Sequence, residues 1–379
     1  MPWQSESVML QRQKLVEKML LPGSRVDEVC SEFGVSRKTA YKWLKRYQEG
    51  GLESLADMSR RPVHQPNRSA DLTEELVIQA HHQFPHWGPY KLKHYLINEQ
   101  LLQSTPSHRT IGRILKRHGC EVIKSHRSTP ANTRFERDRP NALWQMDFKG
   151  SFMTQAARCY PLTVLDDHSR FSMGLRACQD ETKQTVKAHL ESIFQEYGLP
   201  DQINVDNGNP WGAADLDSLT SLQVWLIKLG IKLTHSAPYH PQTNGKDERF
   251  HRSLKLEVLH QRKYKNQSDI QKIFDEWRHV YNFKRPHQAI DNLPPSSRYQ
   301  PSTRQWSDQE EPYCYNQLDL VRKVTKGKGM FCFKGKRYRA GKGLSGEYIA
   351  IKETEQSDQY AIFFRDQFIK KFRLQESVA

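Results

Sequence analysis

The sequence predicts an α/β core with a mixed sheet, preceded by two all-α units and followed by a small β-rich unit. Three observations lead there. Strand patterns form a meander between residues 143 and 177 and then alternate with helical patterns as far as residue 281, the order expected of a layered α/β fold. The two segments before residue 120 carry apolar residues at helical spacing and no strand pattern. The tail, from Leu318 to Leu374, holds only short β-type runs punctuated by Gly and charged turns.

In the first segment, Val26, Val29 and Phe33 share one helix face, and Gly34-Val35 breaks the helix. Ser36 is placed to cap a second helix running to Gln48, because its side-chain oxygen can accept from the exposed backbone N–H groups of the first turn. That helix carries Arg37, Lys38, Lys42, Lys45 and Arg46 beside an apolar stripe of Ala40, Trp43, Leu44 and Tyr47. A helix, a Gly turn and a basic helix make the helix-turn-helix pattern, whose second helix enters the DNA major groove. A helical hairpin with a solvated basic face is the alternative. The polar, Pro-containing stretch DMSRRPVHQPN, residues 57–67, reads as a linker. From Leu72 to Gly119 a second such unit follows, in which Ser107 caps a helix with Arg109, Arg113, Lys116 and Arg117 outside and Ile111, Ile114 and Leu115 inside. The basic, Pro-punctuated segment 124–140 is an arm along DNA or a tether, and its composition fits both.

The core begins with LWQMDF, residues 143–148, as a strand. YPLTVL and FSMGLRA are two more, joined by a turn at Asp166-Asp167-His168-Ser169-Arg170. Thr182 to Tyr197 reads as a helix stopped by Gly198 and Pro200, and Ile203 to Val205 as a brief strand. Leu222 to Leu229 is apolar at helical spacing, Ile231 to Thr234 is strand-like, and Gln242–Gln261 and Ile270–Tyr281 are helices. In the tail, Met330–Phe333, Arg337–Arg339, Tyr348–Ile351 and Tyr360–Phe364 suggest a small β-barrel. Nine basic residues and no acidic one lie between Val321 and Gly343, which suits either a further DNA-binding surface or a solvated face.

The composition points to a polyanionic partner. Lys and Arg number 58 against 43 Asp and Glu, giving a formal net charge of +15, and each phosphate neutralised by such a chain releases condensed counterions. Charge says nothing about chemistry. Six cysteines are scattered without a C-x-x-C pair, which fits reduced structural thiols in the cytosol. No apolar run approaches the ~18 residues of a membrane span, and the first residues lack an apolar signal core. The expected location is the cytoplasm, on the nucleoid of a bacterium.

Three carboxylates stand out by context. Asp147 sits inside the first core strand, Asp206 follows the Ile203–Val205 strand in VDNGNPW, and Glu248 lies near the start of a helix in HPQTNGKDERFHRSLK. They are far apart in sequence, so only folding can gather them. Clustered acids suit phosphoryl transfer on a nucleic-acid backbone, where hard oxygen ligands hold Mg²⁺ and the metal serves a poor nucleophile and a charged leaving group. Without a cation, such acids would repel and their pKa values would rise. Glu248, Arg252 and Lys255 fall on one helix face, and Phe250, Leu254 and Val258 on a roughly opposite one. The bland alternative is an amphipathic helix in which Glu248 pairs with Arg252. Asp166 and Asp167 read as hairpin caps, Asp215 and Asp217 as a helix start, and Asp247 as a rival lying off the basic face.

WQMD at 144–147, VDNG at 205–208 and HPQTNGKDERFHRSLK at 240–255 resemble the three signature blocks of the retroviral-integrase (DDE) superfamily. YNFKRPHQAI at 281–290, followed by Pro294-Pro295, resembles the segment closing the core in bacterial insertion-sequence transposases of that superfamily. The resemblance implies a ribonuclease-H-like core over 141–295, with helices on both faces of a mixed sheet. It implies helix-turn-helix units at 1–56 and 71–120, linkers at 57–70, 121–140 and 296–317, and a small β-barrel at 318–379. Asp147, Asp206 and Glu248 are then ligands of two Mg²⁺ ions, with Mn²⁺ able to substitute. Asn207 and Gly208 shape the neighbouring loop, and Arg252 and Lys255 touch DNA. The implied function is a transposase that binds the terminal inverted repeats of a mobile element in double-stranded DNA and performs metal-dependent cleavage and strand transfer as a homodimer or larger assembly. Two features depart from the retroviral pattern. His81, His82 and His86 have no matching C-x-x-C, so no zinc module is expected, and the wide spacing between the second and third acids implies an insertion around Trp211 to Ser221. A non-catalytic, sequence-specific DNA-binding protein with a degenerate core and a plain ribonuclease-H-type nuclease are the rival readings.

Overall fold

A computed structural model describes residues 7–58, 69–121, 136–212, 219–235, 245–260, 263–309 and 312–374. Most of the two expected linkers at 57–70 and 121–140, the middle of the expected insertion, and the first residues of the third signature block lie outside the described residues. The chain divides into two compact units, Met1–Arg68 and Ser69–Ala379. Among the described residues no helix is long and apolar enough to cross a membrane.

The first unit consists of α1 (Val8–Leu20), α2 (Val26–Glu32), α3 (Arg37–Gly50) and a 3-10 turn at Leu52–Leu55. Ser7 and Ser36 cap α1 and α3, their side chains accepting from Leu10 N and Thr39 N, each at 3.2 Å. Gly34, at φ +60°, turns the chain between α2 and α3 where a side chain would be strained. Leu15, Val16, Val29, Cys30, Ala40, Trp43 and Leu55 close a small core. The basic residues of α3 stay outside: Arg37, Lys38, Lys42 and Lys45 are exposed and Arg46 half-buried.

The second unit opens with α4 (Asp71–Gln83), α5 (Pro89–Asn98) and α6 (His108–Arg117). Ser107 caps α6 as its sequence predicts. Arg109, Arg113 and Lys116 face outward while Ile111, Ile114 and Leu115 pack with Val77, Leu92 and Leu96. The buried Glu74 accepts from Arg117 at 2.5 Å and lies 2.8 Å from His118 Nε2, which ties α4 to the end of α6.

The core sheet contains β1 (Trp144–Phe148), β2 (Phe152–Met153), β3 (Arg158–Asp166), β4 (Ser172–Cys178), β5 (Gln202–Val205) and β6 (Lys232–His235). Its main order is β4-β3-β1-β5-β6, antiparallel up to β1 and parallel from β1 to β6, with β2 a short extension beside β3. Three antiparallel strands followed by two parallel ones form the ribonuclease-H-like sheet. Successive side chains leave a strand on opposite faces, and both faces are covered. Trp144, Met146, Leu162 and Val164 meet α7 (Lys183–Tyr197) and α8 (Ser221–Lys228). Cys159, Leu165 and Leu175 meet α9 (Gly245–Leu254) and α10 (Gln267–Phe283). A π-helical turn, Lys255–Leu259, continues α9.

The tail holds β7 (Leu320–Lys323), β8 (Met330–Phe333), β9 (Lys336–Arg339), β10 (Tyr348–Glu353), β11 (Gln359–Phe364) and β12 (Gln367–Arg373). The expected barrel takes the form of two antiparallel sheets, β12-β11-β10-β7 and β8-β9, around one core. This core includes Leu219, Val224 and Ile227, so the tail packs on α8. Lys228 pairs with Glu347 at 2.6 Å, and Arg365 donates to the Lys228 carbonyl. The closest approach is at Gly343, where an added Cβ would overlap the Leu219 carbonyl. Gly343→Ala is therefore expected to lower stability by about 1–3 kcal/mol through overpacking, read as a lower urea midpoint with faster proteolysis of the tail. An unchanged midpoint would show that the tail does not rest on α8.

Candidate active site

β1 and β5 run parallel, with Trp144 level with Ile203 and Gln145 level with Asn204. Asp147 lies near the end of β1, and Asp206 directly follows β5, the strand beside it. Asp147 is about a quarter exposed, and burial followed by the charge of Asp206 pushes its carboxyl up to about 7. Asp206 is also raised, chiefly by burial, against the opposing pull of His235 and a hydrogen bond from Trp211. One oxygen of Asp206, Oδ1, is buried with no hydrogen-bond partner.

The loop after β5 explains how Asp206 is held. Gly208 and Gly212 exchange two backbone hydrogen bonds at 3.0 and 2.7 Å, with φ +135° and +99°, and pinch off a tight turn. The turn tucks Trp211 inside, against the ring of Phe148 at 5.6 Å. On the other side the Gln223 amide donates to His235 Nε2 at 3.0 Å, and His235 Nδ1 donates to the Asp206 carbonyl at 3.0 Å. Position and charge of Asp206 thus depend on Trp211, His235 and, through His235, on α8.

α9 crosses the same face. His251 Nδ1 lies 3.9 Å from Asp147 Oδ2, and its Nε2 lies 2.9 Å from the Thr163 hydroxyl, which donates to the Asp147 carbonyl at 2.9 Å. Burial drives the His251 imidazole down to about 3, so it stands neutral beside Asp147. Asp247 is fully buried, with Oδ1 unpartnered, and is raised well above the usual carboxylate range by burial and by Asp147 and Asp167. Lys246 reaches the Asp167 carboxylate and donates to its carbonyl at 2.8 Å, which fixes the start of the helix.

Glu248 is on the exposed side of α9, as are Arg252 and Lys255, and no ion pair joins Glu248 to Arg252 among the described residues. Phe250, Leu254 and Val258 are buried, as their spacing predicts. Among the described residues, no three His, Cys, Asp or Glu side chains are gathered as a metal site, while the charge of Asp206 is felt at Asp147. Sequence reasoning set Asp247 aside and did not single out His251, Thr163 or Trp211. The signals were present, since Asp247 and His251 flank Glu248 in the third block and Trp211 ends VDNGNPW. Asp166 does cap its turn, accepting from Asn141 N, Ser169 N and the Ser169 hydroxyl. Two raised carboxylates with an unsatisfied oxygen are the hard donor set that fits a divalent cation such as Mg²⁺.

The chain matches two family models described as integrase core domain, over residues 137–241 and 229–295, which together span the whole of this sheet and its helices. The middle of the chain is thus an integrase core domain. This integrase core is preceded by matches to a helix-turn-helix domain at 11–62 and a homeodomain-like domain at 39–115. The transposase for transposon Tn552 of Staphylococcus aureus is 23% identical, over 95% of this chain and 82% of that protein. The 39.2 kDa protein of insertion element IS476 from Xanthomonas euvesicatoria is 26% identical over 64% of this chain and 69% of its own length. The 31.7 kDa protein of insertion element IS407 from Burkholderia multivorans is 23% identical over 64% of this chain and 87% of its own.

The raised Asp147 carboxyl has a consequence for stability. The folded protein binds this proton more tightly than the unfolded chain, so stability falls as pH rises from about 4 to about 7. Asp147→Asn removes that penalty, which is at most about 4 kcal/mol for three pKa units. In EDTA the variant is expected to melt above the parent at pH 7.5 and to lose the advantage at pH 4. Added Mg²⁺ should raise the parent's melting temperature more than the variant's. A parent and variant that melt alike at both pH values would contradict this placement of Asp147.

Proposed function

We propose that this integrase-core protein is a DNA transposase that binds the terminal inverted repeats of a mobile element and cleaves and joins DNA strands at the Asp147–Asp206 pair, with Glu248 as the third acid. The observation that carries the reading is the pairing of Asp147 with Asp206, two crowded carboxylates on a ribonuclease-H-like sheet with one buried oxygen left unsatisfied. Two Mg²⁺ ions bound there, or Mn²⁺ in their place, would activate the attacking oxygen and stabilise the leaving one. Asp147 and Asp206 supply the anionic oxygens, and Trp211 and His235 keep Asp206 in place. On the exposed side of α9 and of the π-helical turn that continues it, Arg252 and Lys255 are set to hold backbone phosphates.

Recognition of the element ends falls to Arg37, Lys38, Lys42, Lys45 and Arg46 on α3 and to Arg109, Arg113 and Lys116 on α6, all but the half-buried Arg46 exposed on capped helices. Exchanging one phosphodiester for another needs no nucleotide, and the sequence contains no GxxxxGK[ST] loop. Two ends must be held at once, so the working species is a homodimer or larger assembly on double-stranded DNA in the cytoplasm. A non-catalytic DNA-binding protein is favoured by one observation, that among the described residues no three His, Cys, Asp or Glu side chains are gathered as a metal site.

The two readings part in a strand-transfer assay on a duplex ending in the element's repeat, with Mg²⁺ or EDTA. The parent is expected to cleave and join only with metal. Asp147→Asn, Asp206→Asn and Glu248→Gln should each lower the rate by roughly 100-fold or more while DNA binding persists. A parent that binds the repeat and never cuts it supports the non-catalytic reading. Activity retained in Glu248→Gln but lost in Asp247→Asn would assign the third acid to the buried neighbour.

A further inference from the structure

Where α5 packs against the core, four cations converge from three elements. Lys91 lies on α5, Arg249 and Arg252 on α9, and Arg285 just beyond α10. All three arginines press on the Lys91 ammonium. Glu257 in the π-helical turn favours its charge. That carboxylate is already engaged, pairing with Arg285 through one oxygen and accepting from Trp277 Nε1 at 2.9 Å through the other. Arg285 is held in addition by Ser253 Oγ at 3.0 Å and by the rings of Trp87 and Tyr281, each at 5.9 Å. With Glu257 and Arg285 neutralising each other, Lys91, Arg249 and Arg252 are in excess, and none of the three has a carboxylate partner among the described residues.

We propose that Lys91, Arg249, Arg252 and Arg285 form a seat for one DNA backbone phosphate, formed between the second helical unit and the helix that carries Glu248. The proposal rests on the reading that this protein acts on DNA. Arg285 is the fixed member, because its guanidinium is held on several sides. Arg249 and Arg252 are exposed and can close on an anion, and Lys91 is partly buried behind them. Gathering like charges with so little compensation costs stability, and a phosphate oxygen between them would offset their mutual repulsion with an attraction to each. Burial first, and then the charge of Arg285, lowers the proton affinity of Lys91 to about 7. The seat would grip DNA at the junction of the second helical unit and the catalytic sheet, and so set the distance between DNA held by α6 and the acids.

The test uses the full chain and a short fluorescent duplex, with affinity followed by anisotropy across a salt series. Lys91→Met keeps the aliphatic stem and removes the charge. It is expected to leave the melting temperature unchanged or raised while weakening duplex binding. The slope of log K against log salt should become shallower by about 0.9, the value for one lost phosphate contact on B-DNA. Arg249→Met, at an exposed site, should flatten the slope similarly, and it serves as the readout if the lysine variant does not fold. Slopes equal to the parent's in both would overturn the proposal. Inorganic phosphate that stabilises the parent over Lys91→Met, with duplex slopes equal in the two, would mark a free-phosphate site and also overturn it. These measurements are independent of strand transfer, so an inactive parent that binds DNA with the expected slopes defeats the catalytic reading alone.

Discussion

The structure turns on an unfavourable interaction. Two carboxylates, one near the end of β1 and one just past the neighbouring β5, are partly shielded from water, and the charge of Asp206 makes ionisation of Asp147 harder. Groups this close titrate jointly, so the raised affinity for a proton belongs to the pair. A fold would discard such an arrangement unless something positive came to it. Much of the neighbourhood serves to keep the two acids where they are: the pinched turn at Gly208–Gly212, the buried Trp211, and the His235–Gln223 relay to α8.

The same tension recurs one layer down. Asp247 is buried beside Asp147 with an unpartnered oxygen, while Asp167 is fully buried yet satisfied by Lys246, Gln145 and the Arg137 amide. Negative charge is thus concentrated at one end of β1 and α9, and positive charge lines the outward face of α9 and its junction with α5. A polyanion approaching that face meets cations first and carboxylates behind them, the order needed if the acids work through a bridging cation.

Much of this was legible in the sequence because it is local. Serine caps at Ser36 and Ser107, the apolar sides of α3 and α6, and the stop at Gly198 follow from side-chain chemistry within a few residues. Asp147 and Asp206 were legible through their strand contexts and their resemblance to known blocks. Strand pairing was hidden: nothing local in WQMDF or INVDN reveals that β1 and β5 lie side by side, because the parallel pairing spans the intervening hairpin and helix. The inward turn of Asp247 was hidden for a related reason. Helical spacing separates Asp247 from Glu248 by one step around the axis but does not say which side the sheet will cover. β7 and β12 escaped notice because charged residues interrupt their apolar alternation, as in LVRK and QFIKKFR.

α8 has consequences beyond its part in the sheet layers. Leu222 and Leu226 sink into the catalytic core, while Val224 and Ile227 belong to the core of the tail. The helix is sandwiched, with apolar residues on opposing sides. A fragment trimmed at the end of the integrase core would carry one of those sides bare, as a continuous oily strip beside Leu219. Such a fragment would associate through that strip, and any lone-core preparation would need a polar replacement at Val224 or Ile227 to remain monodisperse.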